Sequence, residues 1–297
     1  MKVAARHITD WDSFATETLH YGLLEEFKRI NMNFVSLQTK LELFQITAKD
    51  ESTRYIRDEF YCQVLRNIIK EKFDRKLLSA VFSQMCKNKY VKSVEFLLAY
   101  IDPRNYELNM AASNSNVEIV KILLNDPRVN PGDFNNLAIR TASELGDAEI
   151  VQLLLQNRNV DPSVLDNAAL RLACYFGNVK VASLLLQDPR VDPSSCDNEA
   201  IRKTTNSSIC LMLMNDKRVD PTARNNEALS QAVKLGKSDI VEILLQDHRV
   251  DPTFNNYDFL TTALQSNDTA TLEILLRDPR VDLDVYARLK GEHCKNT

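Results

Sequence analysis

The side chains best equipped for covalent or metal chemistry are six cysteines: Cys62, Cys86, Cys174, Cys196, Cys210 and Cys294. A structural zinc site draws its thiolates from closely spaced pairs such as CxxC, joined by a second pair of cysteines or histidines. No such pair occurs here, and the four histidines fall singly along the chain. A nucleophilic cysteine would need a base or a cationic neighbour to lower its pKa. Cys174 and Cys210 stand instead in apolar helical patterns and read as small core residues. Cys196 lies in a predicted turn and is the more exposed. Scatter of this kind fits reduced thiols in a cytosol.

Arg190 with Asp192 and Arg249 with Asp251 have the look of acid–base pairs, but such pairs recur at the turns, while catalysis needs one unique constellation. They read as a charge ladder between stacked turns. No GxGxxG, Walker-type, HExxH or GxSxG pattern occurs, and six glycines leave little material for a loop that cradles phosphate. The chain therefore points away from enzymatic chemistry, cofactors, metals and small-molecule substrates. Its net charge is −4. A basic cluster of Lys70, Lys72, Arg75, Lys76, Lys87, Lys89 and Lys92 is too short for a nucleic-acid stripe; it reads first as a solvated helix face, with attraction of an acidic partner or an anionic surface as the alternative. No stretch approaches the ~18 apolar residues of a membrane span, and residues 1–10 lack the apolar run of a leader. The expectation is a cytoplasmic protein, with the nucleus as the alternative location.

What positions these side chains is a repeat. The phrases DPRVN from Asp126, NRNVD from Asn157, DPRVD from Asp188, DKRVD from Asp216, DHRVD from Asp247 and DPRVD from Asp278 are near-copies of one another. Their valines, Val129, Val160, Val191, Val219, Val250 and Val281, are spaced by 31, 31, 28, 31 and 31 residues. Fixed spacing marks a stacked array. Each unit reads as helix, tight turn, helix. Asn105, Asn136, Asn167, Asn198 and Asn226 open the first helix, where their side chains are expected to accept from the free N–H groups of the first turn. Gly146, Gly177 and Gly236 are expected to close it in the left-handed conformation. In the second helix, the apolar face of Ile150, Val151, Leu153, Leu154 and Leu155 is too wide for its own unit to cover, so neighbouring units must cover it. The 28-residue unit loses three residues near Lys203-Thr204-Thr205-Asn206, almost a full helical turn.

In this arrangement the chain resembles the ankyrin-repeat family, whose 33-residue unit joins a β-turn finger to two antiparallel helices. Ala138-Ile139-Arg140-Thr141-Ala142 and Ala169-Leu170-Arg171-Leu172-Ala173 stand where the family has TPLHxAA, with Thr, Pro and His replaced. The resemblance implies an all-α, ankyrin-like helix-pair repeat solenoid with short finger turns, preceded by a helical N-terminal cap. The expected limits are residues 1–75 for the cap region, 76–283 for about seven repeats, the first degenerate, and 284–297 for a C-terminal tail. In the cap region Trp11, Leu23, Phe27, Phe34 and Leu41, and later Tyr55, Ile56, Phe60, Val64, Ile68 and Phe73, suggest helices.

Partners of this family usually meet the concave surface made by finger tips and first helices. Register carries those positions to Asp133, Phe134, Asn136, Glu144 and Leu145, then to Val164, Leu165, Asn167, Tyr175 and Phe176. The next units contribute Ser195 and Cys196, then Arg224, Lys234 and Leu235, then Phe254, Asn255 and Tyr257. The aromatics among them suit interface anchors, and the surface is expected to centre on Phe134, Tyr175 and Phe176. The implied function is a non-enzymatic protein–protein interaction module, an adaptor or scaffold that is itself monomeric. A substrate receptor of a ubiquitin ligase, or an effector with an activity in its N-terminal region, stays open.

Overall fold

A computed structural model describes Asp58, Tyr61, Cys62, Leu65 and Arg66, and the chain from Arg75 to Asn296 apart from Arg104. The helices expected between Trp11 and Leu41, and the residues Tyr55, Ile56, Phe60, Val64, Ile68 and Phe73 on which the later helix was expected, lie outside the described residues. Within the described residues every regular element is a helix. The chain divides into two compact units, Met1–Pro131 and Gly132–Thr297.

In the first unit, α1 (Arg75–Lys87) pairs with α2 (Val91–Leu98), and α3 (Asn105–Ser113) pairs with α4 (Val117–Asn125). The core is Leu78, Phe82, Met85, Val94, Leu97, Leu108, Ile119 and Leu123, all buried. The start of α2 is closed from far away in sequence. Buried Asp58 accepts from the Lys92 N–H at 2.7 Å, the Ser93 N–H at 2.8 Å and the Ser93 hydroxyl at 2.5 Å. These are orphan donors of the first turn, and a carboxylate there also meets the positive end of the helix dipole. Desolvation nevertheless holds the Asp58 carboxyl above its usual pKa, with the bonds from Ser93 and Lys92 opposing that rise. The Tyr61 ring edge meets Tyr90 at 4.9 Å, and the Arg66 guanidinium lies over Phe96 at 5.6 Å. Asp58, Tyr61 and Arg66 thus lie against the start and one side of α2.

The second unit carries five helix pairs. The first helices are α5 (Asp133–Leu145), α7 (Val164–Phe176), α9 (Ser195–Lys203), α11 (Ala223–Lys234) and α13 (Phe254–Gln265). The second helices are α6 (Ala148–Leu155), α8 (Val179–Gln187), α10 (Ser207–Met214), α12 (Ser238–Leu245) and α14 (Thr269–Arg277). First helices pack on first helices and second on second along the unit, so each wide apolar face is covered by its neighbours. The repeat valines are buried, as are Ile150, Val151, Leu154, Val181, Ala182 and Leu185 of the second helices. The segment after Asp282, expected as a tail, is a further helix, α15 (Leu283–Asn296), which packs on α13. It begins where a new first helix is due, and the Tyr286 N–H donates to the Asp282 carbonyl at 3.2 Å.

Gly146 ends α5 at φ +81°, where the Ala142 carbonyl accepts its N–H. A Cβ there would stand 2.8 Å from the Asn178 Oδ1 of the next repeat. Gly177 and Gly236 hold the same place at positive φ, as do Ser115 and Asn267 in their units. The short unit shows its deletion directly. Thr204 is extended after Lys203, and the Asn206 side chain then caps α10 by accepting from the Ile209 N–H at 3.2 Å.

Candidate functional site

Each finger is built from two turns. In the first, Asp161 accepts the N–H and hydroxyl of Ser163 at 3.0 and 2.7 Å, which holds its carboxyl below the usual pKa. Asp192 with Ser194, Asp220 with Thr222 and Asp251 with Thr253 repeat the arrangement. The prolines between them, Pro162, Pro193, Pro221 and Pro252, are buried and fix φ for the turn. The second turn is left-handed. Phe134-Asn135-Asn136 lie at φ 53–55°, and the triplets from Leu165, Cys196, Arg224 and Asn255 do the same. Three successive left-handed residues are costly, and Asn and Asp tolerate the region best. The second and third places are Asn or Asp in every finger except for Tyr257. The first place is free to vary.

An arginine that sequence reading left unassigned holds this turn. Arg140 donates through Nε to the Asn135 carbonyl at 2.9 Å and through Nη2 to the Phe134 carbonyl at 3.1 Å. Arg171 and Arg202 clamp the next two fingers in the same way. The signal was the arginine at the centre of each A-hydrophobic-R run.

Asn136, Asn167, Asn198 and Asn226 stand at the helix start, as expected, but their acceptors point elsewhere, while the Asn105 side chain lies outside what the structure describes. Asn136 Oδ1 accepts from the Asp161 N–H at 2.9 Å, and Asn167 Oδ1 from the Asp192 N–H at 2.9 Å. Asn198 and Asn226 reach Asp220 and Asp251 likewise. The left-handed backbone turns each side chain across to the next finger, so it ties repeats together instead of capping its own helix. Asn136 and Asn167 are consequently buried and offer a partner nothing. The charge ladder is also redistributed. Arg190 pairs with Asp188 at 2.6 Å, not Asp192, and its Nη1 donates to the Val160 carbonyl of the preceding unit at 2.6 Å. Arg249 pairs with Asp247 at 2.7 Å.

The expected partner positions that stay accessible fall in two rows. The tip row is Phe134, Leu165, half-buried Cys196, Arg224 and Asn255, the first left-handed residue of each finger. Arg224 makes an ion pair with Asp197 at 3.1 Å. The end row, at the far ends of the first helices, is Glu144 with Leu145, Tyr175 with Phe176, and Lys234 with Leu235. Phe134, Leu145, Leu165, Tyr175, Phe176 and Leu235 are each half or more exposed. Tyr175 and Phe176 touch edge to face, with centroids 5.1 Å apart. Phe134 does not join that pair. The helix between the rows has about nine residues, which separates them by roughly 13 Å, so Phe134 neighbours Leu165 while Leu145 neighbours Phe176. In the end row the short α9 leaves a notch between Tyr175 and Lys234.

The other positions are structural or partial. Phe254 is half-buried and stacks on buried Phe259 at 6.5 Å. Asp133, Val164, Ser195 and Tyr257 are half-buried, and the Ser195 hydroxyl accepts from Asn167 Nδ2 at 2.6 Å. Cys174 and Cys210 are buried, and desolvation pushes both thiols up to about 12. Cys86 is pushed up further, by desolvation first and then by the Glu107 carboxylate. These three stay protonated at neutral pH and pack as apolar groups. Among the described residues no cluster of His, Cys, Asp and Glu is grouped to hold a metal ion, and no helix is long and apolar enough to cross a membrane.

Helix pairs in fixed register, with variable side chains confined to tips and helix ends, define a helix-pair repeat protein. Residues 108–197 match the family model of ankyrin repeats in three copies, so this stretch of the chain is built of ankyrin repeats. The helix–turn–helix register of those copies continues beyond them, through Val281. No curated protein matches the chain.

Proposed function

We propose that the chain is a non-enzymatic adaptor or scaffold that binds a protein partner along the tip and end rows of its second unit. The observation that supports this is the partition of the repeat. Framework side chains are buried or bonded to neighbouring fingers, while Phe134, Leu145, Leu165, Tyr175, Phe176 and Leu235 stay half or more exposed in the two rows. A monomeric protein has no packing reason to present Leu145, Tyr175, Phe176 and Leu235 at the ends of its first helices, whereas exposed aromatics are the usual anchors of interfaces.

The test is affinity capture with mass spectrometry to name a partner, followed by titration of the purified pair. Tyr175→Ala with Phe176→Ala is expected to weaken binding by about 2 kcal/mol or more while leaving the thermal midpoint nearly unchanged, because both side chains are half or more exposed. Full affinity in a destabilised double variant would assign those rings to packing and remove the end row from the binding face.

A further inference from the structure

Three consecutive arginines sit in equivalent places but differ in one partner. Each of Arg140, Arg171 and Arg202 spends its Nε and Nη2 on two carbonyls of its own finger. Arg171 Nη1 then donates to Glu199 Oε2 at 2.8 Å, and Arg202 Nη1 donates to Glu227 Oε2 at 2.5 Å. Both glutamates come from the first helix of the next repeat, at one register position. For Arg140 that position is Ala168. Among the described residues no carboxylate pairs with Arg140, which is half-buried. A guanidinium has five donors in a planar fork, and its bonds to carboxylates are short and strong.

Resting on the reading of this face as a partner surface, we propose that the outer edge of Arg140 is the seat for a carboxylate supplied by the partner. The partner's Asp or Glu takes the place over Ala168 that Glu199 and Glu227 fill in the following repeats. Phe134 and Leu165 flank this seat, since the carbonyls held by Arg140 and Arg171 are those of the same two residues. The ligand is therefore an acidic peptide segment with an apolar side chain beside its carboxylate. A carboxylate is favoured because the protein itself uses one at this register position twice. The seat is partly shielded from water, so screening weakens the pair less than on an open surface.

A displayed library of random peptides, selected on the intact chain, supplies the probe. The best peptide is titrated against the wild type, Arg140→Gln, Ala168→Glu, Phe134→Ala with Leu165→Ala, and Tyr175→Ala with Phe176→Ala. Ala168→Glu gives Arg140 an internal carboxylate, so it should fold at least as stably as the wild type while closing the seat. The proposal expects selected peptides to carry Asp or Glu next to an apolar residue. Binding should fall about tenfold or more for Arg140→Gln, for Ala168→Glu and for a Glu→Gln peptide, with no further loss when receptor and peptide changes are combined. Peptides without an acid, or undiminished binding to Ala168→Glu, overturn it. If peptides respond only to Tyr175→Ala with Phe176→Ala, the partner surface stands and the carboxylate seat falls. If no peptide is selected, or none responds to any variant in either row, both fall. Should Ala168→Glu not fold, Arg140→Gln against the Glu→Gln peptide decides alone.

Discussion

At the scale of single residues, the turn phrase DPRVD owes its repetition to hydrogen bonds that no apolar residue could make. Asp188 accepts from the Arg190 backbone N–H at 3.0 Å and from its guanidinium at 2.9 and 2.6 Å, and the same guanidinium reaches the preceding unit. Arginine lowers the pKa of Asp188, Asp216, Asp247 and Asp278, chiefly through those side-chain bonds. A carboxyl with a folded pKa below its unfolded value of about 3.9 binds fewer protons when folded. Its stabilisation is present above the unfolded pKa and is lost as pH falls through the folded one. The thermal midpoint should therefore be flat near neutrality and drop below about pH 4. Asp188→Asn should lower the midpoint at neutral pH and make the acid drop shallower. An unaltered acid profile in that variant would mean the clasp forms equally in the unfolded chain. Sequence made the aspartates and arginines visible but not their pairing, because Arg190 lies two residues from both Asp188 and Asp192. Only the Ser194 hydroxyl, which donates to Asp192 at 2.7 Å, separates the two roles.

At the scale of elements, the helix–turn–helix unit was legible because apolar period, glycine position and proline position agree. The left-handed turn was not. Asn-rich openings serve equally as helix caps and as left-handed residues, and the choice falls here to three successive positive φ values closed by a bond such as Asn167 N–H to the Ser163 carbonyl at 2.8 Å. The Arg140, Arg171 and Arg202 clamps escaped notice because their partners are backbone carbonyls, which leave no trace in sequence. Glycine makes the cleanest test of inter-repeat fit. Gly146→Ala would strain a backbone at φ +81° and drive a Cβ to 2.8 Å from Asn178 Oδ1. Asn178 Nδ2 meanwhile donates to the Ser143 and Glu144 carbonyls at 2.8 and 2.9 Å. The expected loss is about 2 kcal/mol or more in urea denaturation. Gly177→Ala shares the unfavourable φ, but its nearest atom would be Asn206 Cβ at 3.7 Å, so it should cost clearly less. Equal losses would show that backbone strain alone governs both sites.

At the scale of the molecule, stability in a repeat stack is a sum of unit and neighbour terms, so a local irregularity persists only where the rest of the stack tolerates it. The short unit is the largest irregularity in the second unit of the chain. α9 ends at Lys203, and its first-helix neighbours α7 and α11 run on to Phe176 and Lys234. Its length was readable as a break in the valine spacing. Its consequence, a notch in the end row bordered by Tyr175 and Lys234, needed the packing of α9 between those helices. Repairing the unit separates fold from function. Replacing Thr204-Thr205 by the five residues of Ala142 to Gly146 restores the missing turn and its left-handed glycine, and it keeps Asn206 as the cap of α10. Because a good helical turn is regained and no apolar core residue is lost, the denaturation midpoint is expected to match or exceed that of the wild type. A loss of more than about 1 kcal/mol would mean that buried Thr204 packs in a way the longer helix cannot reproduce. With stability intact, filling the notch should weaken a partner that enters the end row at Tyr175 and Phe176, and should spare one that rests only on Phe134, Leu165 and Arg140.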